Sequence, residues 1–172
     1  MPRSGVITFK GTPMTLLGEE LKVGATAPDF TVHFFEGGLK TLGKKDLQGK
    51  PTIISVVPSV DTGVCATQTK RFNEELGQLT DKVNAVTISR DLPFAHNRFC
   101  GAESIKSLKM GSDYQNGSFG NAYGVMIDEL KLLARSVFVL DKNGQVVYSQ
   151  IVPEVTQEPD YAAALAALKK LV

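Results

Sequence analysis

The period of apolar and polar residues changes several times along the chain, and each change marks a predicted element. GVITFK alternates, Gly11-Thr12-Pro13 has turn chemistry and MTLLG supplies a second arm, so the first 20 or so residues predict a hairpin. Ala27–Val32 and Leu39–Leu42 are short strand candidates on either side of Gly37-Gly38. Thr52–Val57 is almost continuously β-branched and apolar, the pattern of a strand covered on both faces. From Val64 to about Leu79 the period lengthens: Phe72, Leu76 and Leu79 fall on one helical stripe, and Cys65, seven residues before Phe72, lies on nearly the same face.

Val83–Ser89 predicts the next strand, and Pro93 to about Leu108 a helix broken near Gly101. Ala134–Leu140 and Gln145–Val152 flank Asp141-Lys142-Asn143-Gly144, and Asn-Gly is the strongest hairpin signal in the chain. EPDYAAALAALKKLV places acids and a proline at the start of a closing helix and lysines near its end, as the helix dipole favours. Strands alternating with helices, then a hairpin and a last helix, predict an α/β fold of thioredoxin-like pattern, with a mixed sheet between helices and an N-terminal β-hairpin. No repeat, linker or low-complexity stretch divides residues 1–172, which read as one domain.

Composition narrows the function more than the fold. Nineteen basic and 18 acidic residues give a net charge of +1, and the cations are scattered, so neither nucleic acid nor an anionic membrane is expected as a partner. No apolar run approaches the roughly 20 residues that span a bilayer, and the N-terminus lacks a leader pattern, so a soluble, cytoplasmic protein is expected. Two cysteines are too few for a disulfide scaffold, which leaves inert core thiols, metal ligands or a reactive pair.

Cys65 ends the stretch PSVDTGVC, where a strand gives way to a helix. Unpaired amides and the dipole at a helix start favour a thiolate, the reactive form of cysteine. Gly63 permits close backbone approach, and Asp61 or Thr62 is placed to cap the helix by accepting an amide two or three residues on. The same pattern also suits a capped turn with a small buried residue after it. The residues after Cys65 are Ala66-Thr67-Gln68, so the closely spaced cysteine pair of a thioredoxin is missing, and Cys100 follows only 35 residues later.

PSVDTGVC, the helix ATQTKRFNEE, DLPFAHNRFCGAE, YGV, LLARSVFVLD and EPDYAAALAALK together resemble the bacterial thiol peroxidases, the atypical two-cysteine peroxiredoxins, over essentially the whole chain. The resemblance implies a peroxidase of thioredoxin fold that reduces hydrogen peroxide and organic hydroperoxides to water or alcohols. In the family's Pro-x-x-x-Thr-x-x-Cys motif, Cys65 would be the peroxidatic cysteine, Thr62 would bond the thiolate and the peroxide, and Pro58 would shield the sulfur. Arg135 in LLARSVFVL would hold the thiolate and polarise the peroxide. Taken by itself it also reads as a strand-edge arginine in a surface ion pair.

RFCGAE matches the family's resolving segment, which would make Cys100 the thiol that condenses with the Cys65 sulfenic acid to an intrachain disulfide. Because a disulfide needs Cα atoms roughly 4.4–6.8 Å apart, local unwinding of both cysteine segments is expected, hinged at Gly63 and Gly101. The resemblance further implies thioredoxin as reductant, a homodimer, and no cofactor or metal.

Two rivals use the same residues. A zinc site would gather Cys65, Cys100, His33 and His96, although no C-x-x-C or H-x-x-x-H pair supports it. A cysteine hydrolase would pair Cys65 with His96 and leave Cys100 idle. His96 is expected as an exposed helix residue and His33 as an ordinary strand residue. Phe94 and Tyr123 are candidate apolar residues of a hydroperoxide pocket, or simply core.

Overall fold

A computed structural model describes residues 1–172. Its centre is a seven-stranded mixed sheet. Strands β1 (Arg3–Phe9) and β2 (Thr12–Leu17) form the N-terminal hairpin, followed by β3 (Thr31–Phe35), β4 (Leu39–Gly43) and a single 3₁₀ turn at Lys44–Leu47. Then come β5 (Thr52–Val56), α1 (Gly63–Glu75), β6 (Asn84–Ser89), α2 (Pro93–Glu103), β7 (Lys109–Ser112), α3 (Ser118–Ala122) and β8 (Met126–Ile127). The chain closes with β9 (Ser136–Leu140), β10 (Val146–Ile151) and α4 (Tyr161–Lys169).

The sheet order is β10-β9-β5-β6-β7-β3-β4, with β5, β6 and β7 mutually parallel and the outer pairs antiparallel. The hairpin forms a separate small sheet, β1-β2-β8. No helix is long and apolar enough to cross a membrane.

The central strands are apolar on both faces because each face meets a different layer. In β5, Ile53 packs with Phe72 of α1 and Leu165 of α4, whereas Ile54 and Val56 join the opposite core with Ile7 and Leu16 of the hairpin. β9 repeats the alternation, Val137 and Val139 on one side and Phe138 and Leu140 on the other. The five residues of β5 are all buried, so the continuous apolar run is the mark of a sheet covered twice.

Several boundaries differ from expectation. Lys10 and Gly11 take the positive φ values of the hairpin turn, so Thr12 and Pro13 already belong to the second arm. The strand expected over Ala27–Val32 begins only at Thr31. Gly101 does not break α2. The helix runs through it to Glu103 and stops where Ser104 turns left-handed, at φ 55°. β7, α3 and β8 carry no strong periodicity, since four residues or fewer in a strand, or one helical turn, offer too few positions to show one.

Candidate active site

The carboxyl end of β5 leads through buried Val57 and Pro58 into a tight turn that starts α1. Ser59 builds that turn. Its carbonyl accepts from the Thr62 amide at 3.2 Å and from the Thr62 hydroxyl at 3.1 Å, and its Oγ accepts from the Asp61 amide at 3.1 Å.

The cap expected from Asp61 or Thr62 is therefore not made. Thr62 occupies the N-cap position, but its hydroxyl points back to Ser59, and Asp61 is exposed opposite Arg98 at 3.6 Å. The first-turn amides of α1 keep no side-chain acceptor, the condition in which a helix start favours a nearby anion.

Cys65 is the third residue of α1 and is wholly buried. The Arg135 Nη2 donates to its sulfur at 3.3 Å, Nη1 donates to Gln68 Oε1 at 2.9 Å, and Nε donates to the Val155 carbonyl at 2.8 Å. Gln68, one turn beyond Cys65, is itself held by donating to Ser55 Oγ of β5 at 2.8 Å. Arg135 precedes β9 and is only 2% exposed. No carboxylate pairs with it, so the surface ion pair considered for this residue is not what the fold contains. A buried guanidinium without an acid is costly, and an anionic Cys65 sulfur would supply the missing charge.

Thr62 makes no hydrogen bond to the sulfur. Pro58 is buried in the approach to the turn. Gln68 was the residue the sequence pattern passed over: a polar side chain three positions after the cysteine, on the stripe that faces the core, was the available signal.

Cys100 lies on α2, half-buried, and both cysteines are free thiols. Its S–H donates to Met110 Sδ at 3.2 Å, and burial pushes its pKa up. Cys65 and Met110 belong with Val57 and Val60 to one small apolar cluster, against which Phe99 and Cys100 pack. The two sulfurs thus border a shared plug of side chains. A cleft of about 630 Å³ opens beside Cys100, lined in part by Phe35, Asn97, Ile105 and Leu108, and Cys65 does not reach it.

His96 is buried, contrary to expectation. It faces inward at the first turn of α2, where Ser89 Oγ lies 2.7 Å from its Nε2. Ser89 donates its own proton to Asp91 Oδ2 at 2.6 Å, so it accepts from His96, which is neutral with the proton on Nε2. Burial holds the pKa of His96 down at about 4, against a smaller upward pull from Asp91. Its Nδ1 is buried without a partner.

Neither rival arrangement assembles. No group of three or more His, Cys, Asp or Glu converges, and His33 instead lies on β3 with its ring edge-on to Tyr114. Ser89, His96 and Asp91 have the residue types of a hydrolytic triad in the wrong order, with the carboxylate on the serine and a fully buried hydroxyl. Tyr123 is core, stacked on Phe119 with its hydroxyl donating to the Pro28 carbonyl, while Phe94 is largely exposed against Phe35.

Against known proteins, residues 22–165 match the Redoxin family. A thiol peroxidase of Bacillus subtilis is 57% identical over 96% of this chain and 98% of its own length. One of Streptococcus gordonii is 49% identical over 95% and 99%. Among solved structures, a peroxiredoxin-like protein from Aquifex aeolicus superposes with a TM-score of 0.89 at 40% identity, covering 99% of this chain and 98% of that one. A thiol peroxidase from Chromobacterium violaceum superposes with a TM-score of 0.82 over 95% of each chain at 17% identity, a likeness of fold.

Proposed function

Since the chain belongs to the redoxin family and is a thiol peroxidase of the peroxiredoxin type, we propose that Cys65 is its peroxidatic cysteine and Cys100 its resolving cysteine. The observation that carries this reading is the buried Arg135, which has no acid and directs Nη2 at the Cys65 sulfur.

The Cys65 thiolate attacks the terminal oxygen of hydrogen peroxide or an organic hydroperoxide. An S–O bond forms, the O–O bond breaks, and the leaving hydroxide or alkoxide takes up a proton to become water or alcohol. The guanidinium offsets the charge that moves onto the oxygens, and Gln68 and Val155 keep its fork aimed. Pro58 walls the sulfur from water. Thr62 donates to Ser59, so it can accept from a peroxide O–H as it stands and releases Ser59 only to donate.

The Cys65 sulfenic acid then condenses with Cys100. An S–S bond forms, and the S–O bond breaks with loss of water. Cys100 is held unreactive while packed against Met110, because burial disfavours its thiolate, so resolution requires α2 and the turn before Cys65 to open. Gly101 suits such an opening. A Cβ there would meet nothing within 4 Å and its φ is ordinary, so the folded helix has no steric need of glycine. Gly63, at the start of α1, is alike in both respects.

A two-electron dithiol reductant returns the disulfide to thiols. Thioredoxin in the cytoplasm, acting on a homodimer, completes the proposal.

One equivalent of hydrogen peroxide added to the reduced protein should remove both free thiols and give an intrachain Cys65–Cys100 cross-link, with no covalent link between chains. Persistence of both thiols would refute it. Cys100→Ser should consume one equivalent and then stop, whereas Cys65→Ser should consume none.

A further inference from the structure

Resting on that reading, we infer that Asp91 is a positioning residue for the resolving step, a clasp that holds the turn before Cys65 to the start of the helix bearing Cys100. Its carboxylate accepts from the Ser59 hydroxyl at 2.7 Å and the Val60 amide at 2.9 Å, both in the turn that launches α1. It also accepts from Ser89 at the end of β6, which is in turn bonded to His96 of α2. Asp91 stands two residues before Pro93, the first residue of α2, and its carbonyl accepts from the Ser112 hydroxyl of β7. One side chain therefore joins the lead-in of both cysteine helices to the rim of the sheet.

These bonds are sheltered. The Asp91 side chain is 10% exposed and the His96 side chain 3%. Every donor to the carboxylate is neutral, so its charge is satisfied by oriented hydrogen bonds rather than by an ion pair. A second tie between the same two segments, Asp61 to Arg98, is open to solvent on both sides and contributes little. Opening either cysteine segment must first strip donors from the buried carboxylate, which makes Asp91 the group whose release sets how fast Cys100 reaches Cys65.

The two chemical steps can be separated by reacting the reduced protein with peroxide in quenched flow, trapping the sulfenic acid with a 1,3-dicarbonyl reagent and counting disulfide. Asp91→Asn and the milder Ser59→Ala should each speed disulfide formation several-fold and leave sulfenic acid formation within about twofold. At high peroxide both should lower the fraction of Cys65 over-oxidised to sulfinic acid. Amide exchange in residues 59–65 and 93–103 should rise in step.

Unchanged disulfide rates and partition in a folded Ser59→Ala protein would overturn the clasp, as would slowing of both steps together. Should Asp91→Asn not fold, Ser59→Ala decides alone. A wild-type protein that forms neither sulfenic acid nor the Cys65–Cys100 disulfide would instead overturn the functional reading beneath it.

Discussion

The two cysteines inhabit opposite environments. Cys65 is sealed, with its sulfur under a guanidinium that two other acceptors aim and with Thr69 Oγ1 donating to the Cys65 carbonyl at 3.0 Å. Cys100 is half-buried beside a cleft, its sulfur bonded only to a thioether, on a helix that has a glycine as the next residue. Rigidity serves the first, because an oriented cation acts on a transition state only if it need not move. Looseness would serve the second in the proposed resolving step, because two thiols on separate helices must meet to bond. On the proposed reading, preorganisation lies in the contacts around the Cys65 sulfur, and opening falls to α2 and the turn before α1.

The strongest way to break the contrast is to remove the cation. Arg135→Met should lower the second-order rate of sulfenic acid formation by about 10²–10³-fold, the usual cost of losing one oriented donor to developing charge, as read by stopped-flow peroxide consumption. A loss under tenfold would mean that Cys65 does not depend on Arg135.

Acid should separate the two regions next. His96 belongs to α2 and is held neutral, its pKa lowered to about 4 from 6.5 by burial. An unfolded chain binds a proton there at higher pH than the folded one, so the stability of the neutral form is complete above about pH 6.5 and declines as pH falls towards 4. The full decline is about 3 kcal/mol. Urea midpoints measured across that range should fall, and His96→Gln should flatten the slope. Amide exchange should show α2 loosening before α1.

A smaller effect tests the aiming of the arginine. Gln68→Ala leaves Arg135 Nη1 without its acceptor and Ser55 Oγ without its donor. It should cost about 1–3 kcal/mol of stability, seen in thermal melts, and slow the peroxide step without touching resolution. Smallest of all, Gly101→Ala should stiffen α2 by about 0.5–1 kcal/mol and slow disulfide formation while leaving sulfenic acid formation unchanged. Faster resolution in that variant would end the hinge assignment.

How much of this was visible beforehand depended on the kind of signal. Long apolar periods located β5, α1 and α4, because burial on a defined face leaves a repeat in the sequence. The hairpin and the Asn143-Gly144 turn were legible from turn chemistry, with Asp141 Oδ1 accepting the Asn143 and Gln145 amides. Cys65 and Arg135 are linked only by the resemblance, since no local pattern joins residues 70 positions apart.

His96 turns inward without any local signal for it. It follows Pro93 and Phe94 on a helix with little amphipathic character, so which face turns inward is decided by Ser89 and Asp91 on another element. Thr62 was expected to cap its helix, and the turn closed by Ser59 claimed its hydroxyl first. Gln68 escaped notice because its partners, Ser55 and Arg135, are tertiary neighbours.

The acid-free burial of Arg135 has one more consequence. With Cys65 as the thiolate that the proposed first step requires, the two would make a neutral pair in the interior. In the proposed cycle, once that sulfur carries a hydroxyl or a second sulfur the thiolate charge would be gone, while the guanidinium stays almost wholly buried. Each such oxidation would leave the closed conformation with an unbalanced charge, and each reduction would restore the balance. In the proposed cycle the pressure to open would begin with the sulfenic acid and last until the disulfide is reduced, which would tie the loosening of the site to its redox state.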